Sequence, residues 1–503
     1  MRRSAGALLG LLVLGSVAVF LWSSWEPQRP PEPVRFATVA EPAFDAGGTL
    51  ADAWADFDGD GDPDRFVGFN GTPSRLYRND GTAGFTDLAE EVGLGVERSV
   101  RTAAWGDYDA DGDPDLLLGY AGDAPVTALF RNDGVTFTEV AAEVGLELSE
   151  GTTRQASWVD YDADGDLDLF LALRDRENQL FENSGGVFSN VTEETGIGDA
   201  RRSVGAVWFD VEGDGDLDVY VANMNGDANG MWLQGPEGFV DAAERLGLAD
   251  GGRALEDEDE GTVRPCAVDF DNDGDLDLFT ANYGPNGLLQ NPGSDGPWSN
   301  VAAEVGLAET SRYDTCAWGD FDHDGSLDLY VNGTITGGRQ YRDWLYRREG
   351  GPFLNVTPDA LDVAADHGAT WVDYDLDGDL DLALAGVSDD GMHHLVQNLL
   401  RPEYARHHLK VRVVDGRGAA TLAGATVRLY AAGTDRLLGT GLVDSGSGYD
   451  SQSDLPVHFG LTTGEPVDVE VATPGPGGTV FTRLEDVDPE AFRGRSLEVR
   501  VAG

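Results

Sequence analysis

Residues 106–120 read GDYDADGDPDLLLGY, with aspartates at 107, 109, 111, 113 and 115 and then a run of apolar side chains. Five carboxylates so close together would repel one another in a folded loop unless a cation sat among them. Side chains at alternate positions, followed by a glycine that lets the backbone turn sharply, can wrap oxygens around one hard ion. The pattern D-x-D-x-D-G-x-x-D resembles the start of an EF-hand loop but closes at position nine instead of twelve.

The stretch recurs seven times, at starts separated by 51, 53, 50, 59, 51 and 53 residues. The candidate metal residues fall at loop positions one, three, five, seven and nine. They are Asp56, Asp58, Asp60, Asp62 and Asp64; Asp107, Asp109, Asp111, Asp113 and Asp115; Asp160, Asp162, Asp164, Asp166 and Asp168; and Asp210, Glu212, Asp214, Asp216 and Asp218. The last three loops supply Asp269, Asp271, Asp273, Asp275 and Asp277; Asp320, Asp322, Asp324, Ser326 and Asp328; and Asp373, Asp375, Asp377, Asp379 and Asp381. Positions one, three, five and nine are expected to give side-chain oxygens and position seven its backbone carbonyl, which accounts for Ser326. Glu212, one methylene longer, marks the most divergent loop. All-oxygen loops of this kind suit calcium; magnesium prefers to keep its waters, and zinc wants His or Cys. Up to seven structural calcium ions are expected.

A period near 50 residues signals a propeller or array. In the second unit TAAW precedes the loop and LLLGY, ALFRN and FTEVAAEVGL follow, four short apolar runs that suit a four-stranded blade. Trp54, Trp105, Trp158, Trp208, Trp318 and Trp371 stand two residues before the first aspartate, where the fifth unit has Ala267; they read as packing between blades. The seventh unit lacks its FxxVA run, whereas Phe36-Ala37-Thr38-Val39-Ala40 is spare at the start. The N-terminal strand should therefore complete the last blade, and closure removes exposed sheet edges. The expected fold is all-β: a seven-bladed propeller over 34–404, followed by a sandwich-like β domain over 405–503, where apolar and polar residues alternate between glycine-rich turns.

The net charge of −57 excludes a nucleic-acid binder that works through a basic face. Met1-Arg2-Arg3 followed by an apolar run from Ala5 to Trp22 implies export, with residues 1–25 either a cleaved signal or a single-helix membrane tether, and 26–33 a stiff Pro-rich linker. Cys266 and Cys316 precede successive loops. Buried small side chains are the usual reading of such cysteines, and a bridge between neighbouring repeats is the alternative that export permits. His393-His394 and His407-His408 are pairs in strand-like stretches, and His323 sits inside a loop with its side chain expected to point outward. No metal-ligand spacing emerges among the histidines, and there is no nucleophile elbow, P-loop or dinucleotide fingerprint.

WGDYDADGD and LxRNDG…FTEVAAEVGL are similar to the FG-GAP or VCBS repeats of integrin α-chain propellers and many bacterial surface proteins. GSGYDSQSDLPVHFGL (446–461), with HHLKVRV and AGATVRLY, resembles the ASPIC/UnbV domain, and the combination resembles the cartilage acidic protein family and its bacterial relatives. Ala472-Thr473-Pro474-Gly475 departs from the Trp-Pro-Ser-Gly turn usual in related domains. The resemblance implies an extracellular calcium-binding propeller, and the expected protein is a non-enzyme and a monomer that binds a protein or glycan partner through the face opposite the loops or through the central channel. The competing readings are a polysaccharide lyase or hydrolase using that channel, and a structural or assembly factor of the cell envelope.

Overall fold

The computed structural model describes residues 33–501 except 45, 123, 135, 294–295, 337–338, 362, 364–366, 387–392, 445, 447–449 and 476. The signal or anchor segment and all of the linker but Pro33 lie outside the described residues. Among those described, no helix is long and apolar enough to cross a membrane.

Each repeat folds as a four-stranded antiparallel meander. In the second, Glu97–Gly106, Asp115–Tyr120, Thr127–Asn132 and Phe137–Glu139 pair in sequence order. The innermost strands of the seven blades are Thr49–Ala55, Glu97–Gly106, Thr153–Val159, Ser203–Phe209, Gly261–Val268, Thr310–Gly319 and Ala369–Val372. The second strand of each blade is buried on both faces, as in Leu116, Leu117 and Leu118, so these runs are continuously apolar. The outermost strands have only two or three residues, which leaves little edge for another chain to pair with.

Closure takes the form the repeat grammar requires. Phe36–Thr38 pairs antiparallel with His394–Asn398 as the outer strand of blade seven. Phe36 meets Trp371 at 6.4 Å between ring centres, as Phe137 meets Trp105 at 5.9 Å and Phe188 meets Trp158 at 6.2 Å. Three of the repeated indoles also reach the preceding blade: Trp105 Nε1 donates to Ala53 O, Trp158 Nε1 to Ala104 O and Trp371 Nε1 to Ala317 O. At the blade without this tryptophan, Ala267 packs with Leu442 of the C-terminal region in one apolar cluster.

Residues His408–Val414, Val457–Gly460 and Leu497–Arg500 form one small sheet; Thr426–Ala431, Leu437–Leu442, Val467–Thr473 and Val480–Val487 form another. Leu409, Val411, Val427, Leu429, Val469 and Val499 fill the core between them. This sandwich belongs to the same compact unit as the propeller, Val34–Gly503.

One expectation is corrected. Cys266 and Cys316 are not separate buried thiols: they form a disulfide between the innermost strands of blades five and six, with Cα atoms 6.5 Å apart. The bridge forms because the two cysteines occupy equivalent places on adjacent strands. A segment of the sandwich's own chain lies against the innermost strands. Ser451–Gln452 adds as a parallel strand beside Thr49–Ala55, Gln452 Oε1 accepts from Trp105 N, and Gln452 Nε2 donates to Trp105 O. Asp450 is fully buried there among Arg101, Arg154 and His367.

Candidate metal centres

Each loop is shaped before any ion is considered. Position four takes a left-handed backbone in all seven: Gly59, Ala110, Ala163, Gly213, Asn272, His323 and Leu376, with φ between 54° and 72°. For the five that are not glycine this costs roughly 1–2 kcal/mol each, a strain that persists only where its surroundings impose it. Position five then accepts the backbone N–H of position seven in every loop, from Asp60 to Asp377, at 2.8–3.1 Å.

The folded loop draws positions one, three and nine together. Carboxylate oxygens of Asp56, Asp58 and Asp64 lie within 4.8 Å of one another, as do those of Asp107, Asp109 and Asp115, of Asp160, Asp162 and Asp168, and of Asp320, Asp322 and Asp328; in loop five the trio is Asp269, Asp271 and Asp273. Position nine starts the second strand of its blade and is anchored at its base. Asp115 accepts from Tyr108 N at 3.1 Å and Asn132 N at 2.8 Å, and Asp64, Asp168 and Asp218 repeat the arrangement. Position seven behaves differently. Asp166 turns aside to accept from Gly185 N, whereas Asp379 is buried. In loop four, Asp210 accepts from Gly213, Asp214 and Gly215 N and from Thr479 of the sandwich, with Glu212 at position three.

These carboxylates are held where a negative charge is costly. Burial, and secondarily the neighbouring aspartates, push Asp64, Asp115 and Asp168 up to about 9 and Asp218 and Asp277 up to about 8; Asp328 and Asp381 rise well above the usual carboxylate range. Buried oxygens also lack any hydrogen-bond donor: Asp56 Oδ1, Asp109 Oδ1, Asp271 Oδ1, Asp328 Oδ2 and Asp381 Oδ2. Buried acceptors are almost always satisfied, and a cation among them would supply what no protein donor does. The residues therefore fit an oxygen-seeking divalent ion.

Sequence reading missed two features. The first is a set of amides between blades: Asn79, Asn132, Asn183, Gln234 and Asn398 each donate to the position-two carbonyl of the preceding blade's loop, from Tyr374, Phe57, Tyr108, Tyr161 and Phe321, at 2.7–3.0 Å. Four of these amides stand in the repeated "RN"-type ends of third strands, a visible signal. The second is the sandwich's seat on the loop face. Arg417, Arg428 and His458 donate to the position-six carbonyls of loops three, five and seven, Gly165, Gly274 and Gly378. Lys410, the only lysine in the chain, lies buried with Nζ 3.0 Å from Asp373 Oδ2. His323 leaves its loop as expected, but it is buried against the sandwich rather than solvated.

Fold and loops together define an acidic, multi-site propeller capped by a β-sandwich, and family comparison agrees. The chain carries FG-GAP-like repeats, matched over residues 56–118, 160–221 and 269–331, and an ASPIC and UnbV domain matched over 416–489. It is similar to cartilage acidic protein 1: 27% identical to the Xenopus tropicalis protein over 311 residues, 59% of this chain and 45% of that one, and 30% identical to the Homo sapiens protein over 251 residues, 47% and 35%. The chain thus spans less than half the length of these relatives. Among solved structures, an Agrocybe aegerita protein described as specifically recognising non-reducing terminal N-acetylglucosamine aligns with 65% of this chain and 82% of its own, at 17% identity and a TM-score of 0.37.

Proposed function

We propose that the protein is an exported, calcium-binding propeller that serves as a binding module for an extracellular protein or glycan. The observation that carries the calcium reading is the set of buried, donor-less carboxylate oxygens in trios within 4.8 Å. All-oxygen, strongly anionic loops with flexible geometry suit calcium best among the biological divalent ions. The ions would act structurally, tying each blade's first two strands together and relieving like-charge repulsion at the face on which the sandwich sits. The Cys266–Cys316 disulfide supports passage to an oxidising compartment.

With the loop face under the sandwich, the partner surface is the opposite face, formed by the starts of the innermost strands and the turns beyond the second strands. It carries Arg98, Arg176, Arg202, Arg312 and Arg339 beside the acidic run 256–260, with Arg176 paired to Glu150 and Arg202 to Asp227.

Calcium calorimetry on the full-length chain, with melting in calcium and in chelator, tests the first part. Several ions should bind, each adding about 2.7 kcal/mol of stability at a hundred times its Kd. Absence of binding, or binding without stabilisation, would remove the structural-ion reading. Screening the calcium-loaded chain against immobilised glycans and extracellular proteins, beside an Arg202→Glu/Arg312→Glu variant, tests the second; equal binding by both forms would place the partner surface elsewhere.

A further inference from the structure

Three histidines far apart in sequence meet where the sandwich sits on loop six. His323 occupies position four of that loop, whose left-handed backbone throws its side chain outward. His408 opens the first strand of the sandwich, and His458 lies in the strand Val457–Gly460 that pairs with it. Their ring centres are 5.4 Å apart for His323 and His458, 5.8 Å for His408 and His458, and 6.3 Å for His323 and His408.

In each ring one nitrogen is committed to a backbone carbonyl. His323 Nδ1 is 3.1 Å from Tyr404 O, His408 Nδ1 is 2.9 Å from Ala405 O, and His458 Nε2 is 2.9 Å from Gly378 O. A carbonyl can only accept, so these nitrogens carry the protons, and in a neutral ring the other nitrogen keeps its lone pair. His408 Nε2 and His458 Nδ1 are buried and have no hydrogen-bond partner. A carbonyl that fixes the tautomer and orientation of an imidazole is the usual support of a metal-ligating histidine. Gly378 makes room for the arrangement: a Cβ there would stand 2.2 Å from the His408 ring.

We propose that His323, His408 and His458 form a three-imidazole site for a single first-row transition-metal ion, zinc or copper, separate from the aspartate loops in both position and chemistry. Three nitrogens at about 2.0–2.1 Å from one ion, each with its ring centre roughly 1.1 Å further out, would set ring centres a little over 5 Å apart in a tetrahedral arrangement; the rings already stand near that spacing. His458 is half-buried and, unlike the other two, borders a cavity of about 490 Å³ between the sandwich and blades five to seven. A four-coordinate ion held by three histidines keeps one position for water or a small ligand. Burial, with the His408 ring beside it, holds the His458 imidazole down to about 3, and burial also lowers that of His408. Both rings are thus neutral, as ligands must be, over the physiological range. Lys410, a cation that bears on both His408 and His458, is paired with Asp373.

The test is titration of the full-length chain with Cu(II), and separately with Zn(II), in saturating calcium so that the aspartate loops cannot capture the probe. The expected result is one ion per chain, a Cu(II) resonance split by three nitrogens, and affinity weakened in both His408→Gln and His458→Gln. The loss should exceed roughly ten-fold, the least that removing even a hydrogen-bonding partner of a ligand costs. Competition between the two ions shows which one the site prefers. Absence of a stoichiometric site in the wild-type chain overturns the proposal whether or not the variants fold, as does undiminished binding in both variants. Calcium binding is read independently, so failure here leaves the calcium reading standing.

Discussion

Arg65 offers a measure of how the ring is locked. It stands in the second strand of blade one, fully buried, and pairs with Asp52 of the first strand, also fully buried, through Nε at 3.1 and 3.2 Å and through Nη2. The same guanidinium crosses the closing seam to blade seven, donating to the carbonyls of His394 at 3.2 Å and of Leu384 and His393 at 3.4 Å. It lies over the rings of Phe44 at 5.1 Å and Trp54 at 5.4 Å. Arg65→Met preserves most of the volume but leaves a buried carboxylate with no cation and takes one donor from each of three seam carbonyls. Breaking one side of such a pair costs about 3–5 kcal/mol, roughly a hundred- to several-thousand-fold in the unfolding equilibrium. With an unfolding entropy of about 2.1 cal/mol/K per residue, a unit of some 470 residues, Val34–Gly503, would lose about 3–5 °C in Tm. The double variant Asp52→Leu/Arg65→Met removes both charges and should recover to within about 1–2 kcal/mol of wild type, because the lone buried charge, not the missing contact, dominates the loss. Equilibrium unfolding in saturating calcium measures all three proteins. A loss below about 1 kcal/mol in the single variant, or a double variant as unstable as the single, would refute the reasoning.

Removing residues 1–40 deletes Phe36–Thr38 and exposes the edge of His394–Asn398; size-exclusion chromatography should then show larger species than the full chain gives. Replacing Cys266 and Cys316 together with serine opens a 50-residue loop, and denaturant titration should show a loss of about 4 kcal/mol. His393 is buried between Ala46 O and the Tyr77 hydroxyl, and burial, then Arg65, hold its imidazole well below 6.5. Its folded-state value is depressed, so below pH 6.5 the unfolded chain binds the proton more readily and stability falls as the solution is acidified. Tm in saturating calcium should therefore drop between pH 7 and 5, with a shallower fall in His393→Gln.

The repeat made most of the propeller legible. A loop that turns on glycine and holds carboxylates at alternate positions is a local object, and so is a strand of consecutive apolar residues; both are written in contiguous sequence. The spare Phe36 run predicted ring closure because one missing strand and one surplus strand can satisfy each other only by pairing. The left-handed position four was invisible, since Ala110, Ala163 and Leu376 have no intrinsic preference for it. Loop hydrogen bonds and the neighbouring blade impose that conformation.

What the sequence determined by itself was therefore the periodic part: seven blades, their aspartate loops, the closing strand and a separate sandwich. Tertiary structure alone decided what the aperiodic residues do. Asp450 and Gln452 sit in a polar, glycine-rich stretch that resembles a surface loop, yet the channel lends them buried partners from blades one and two. His323, His408 and His458 share no spacing motif, because they come from a loop and two strands that meet only once the sandwich has docked. Local chemistry can be read from neighbours in the chain; a site assembled across an interface has its neighbours only in space.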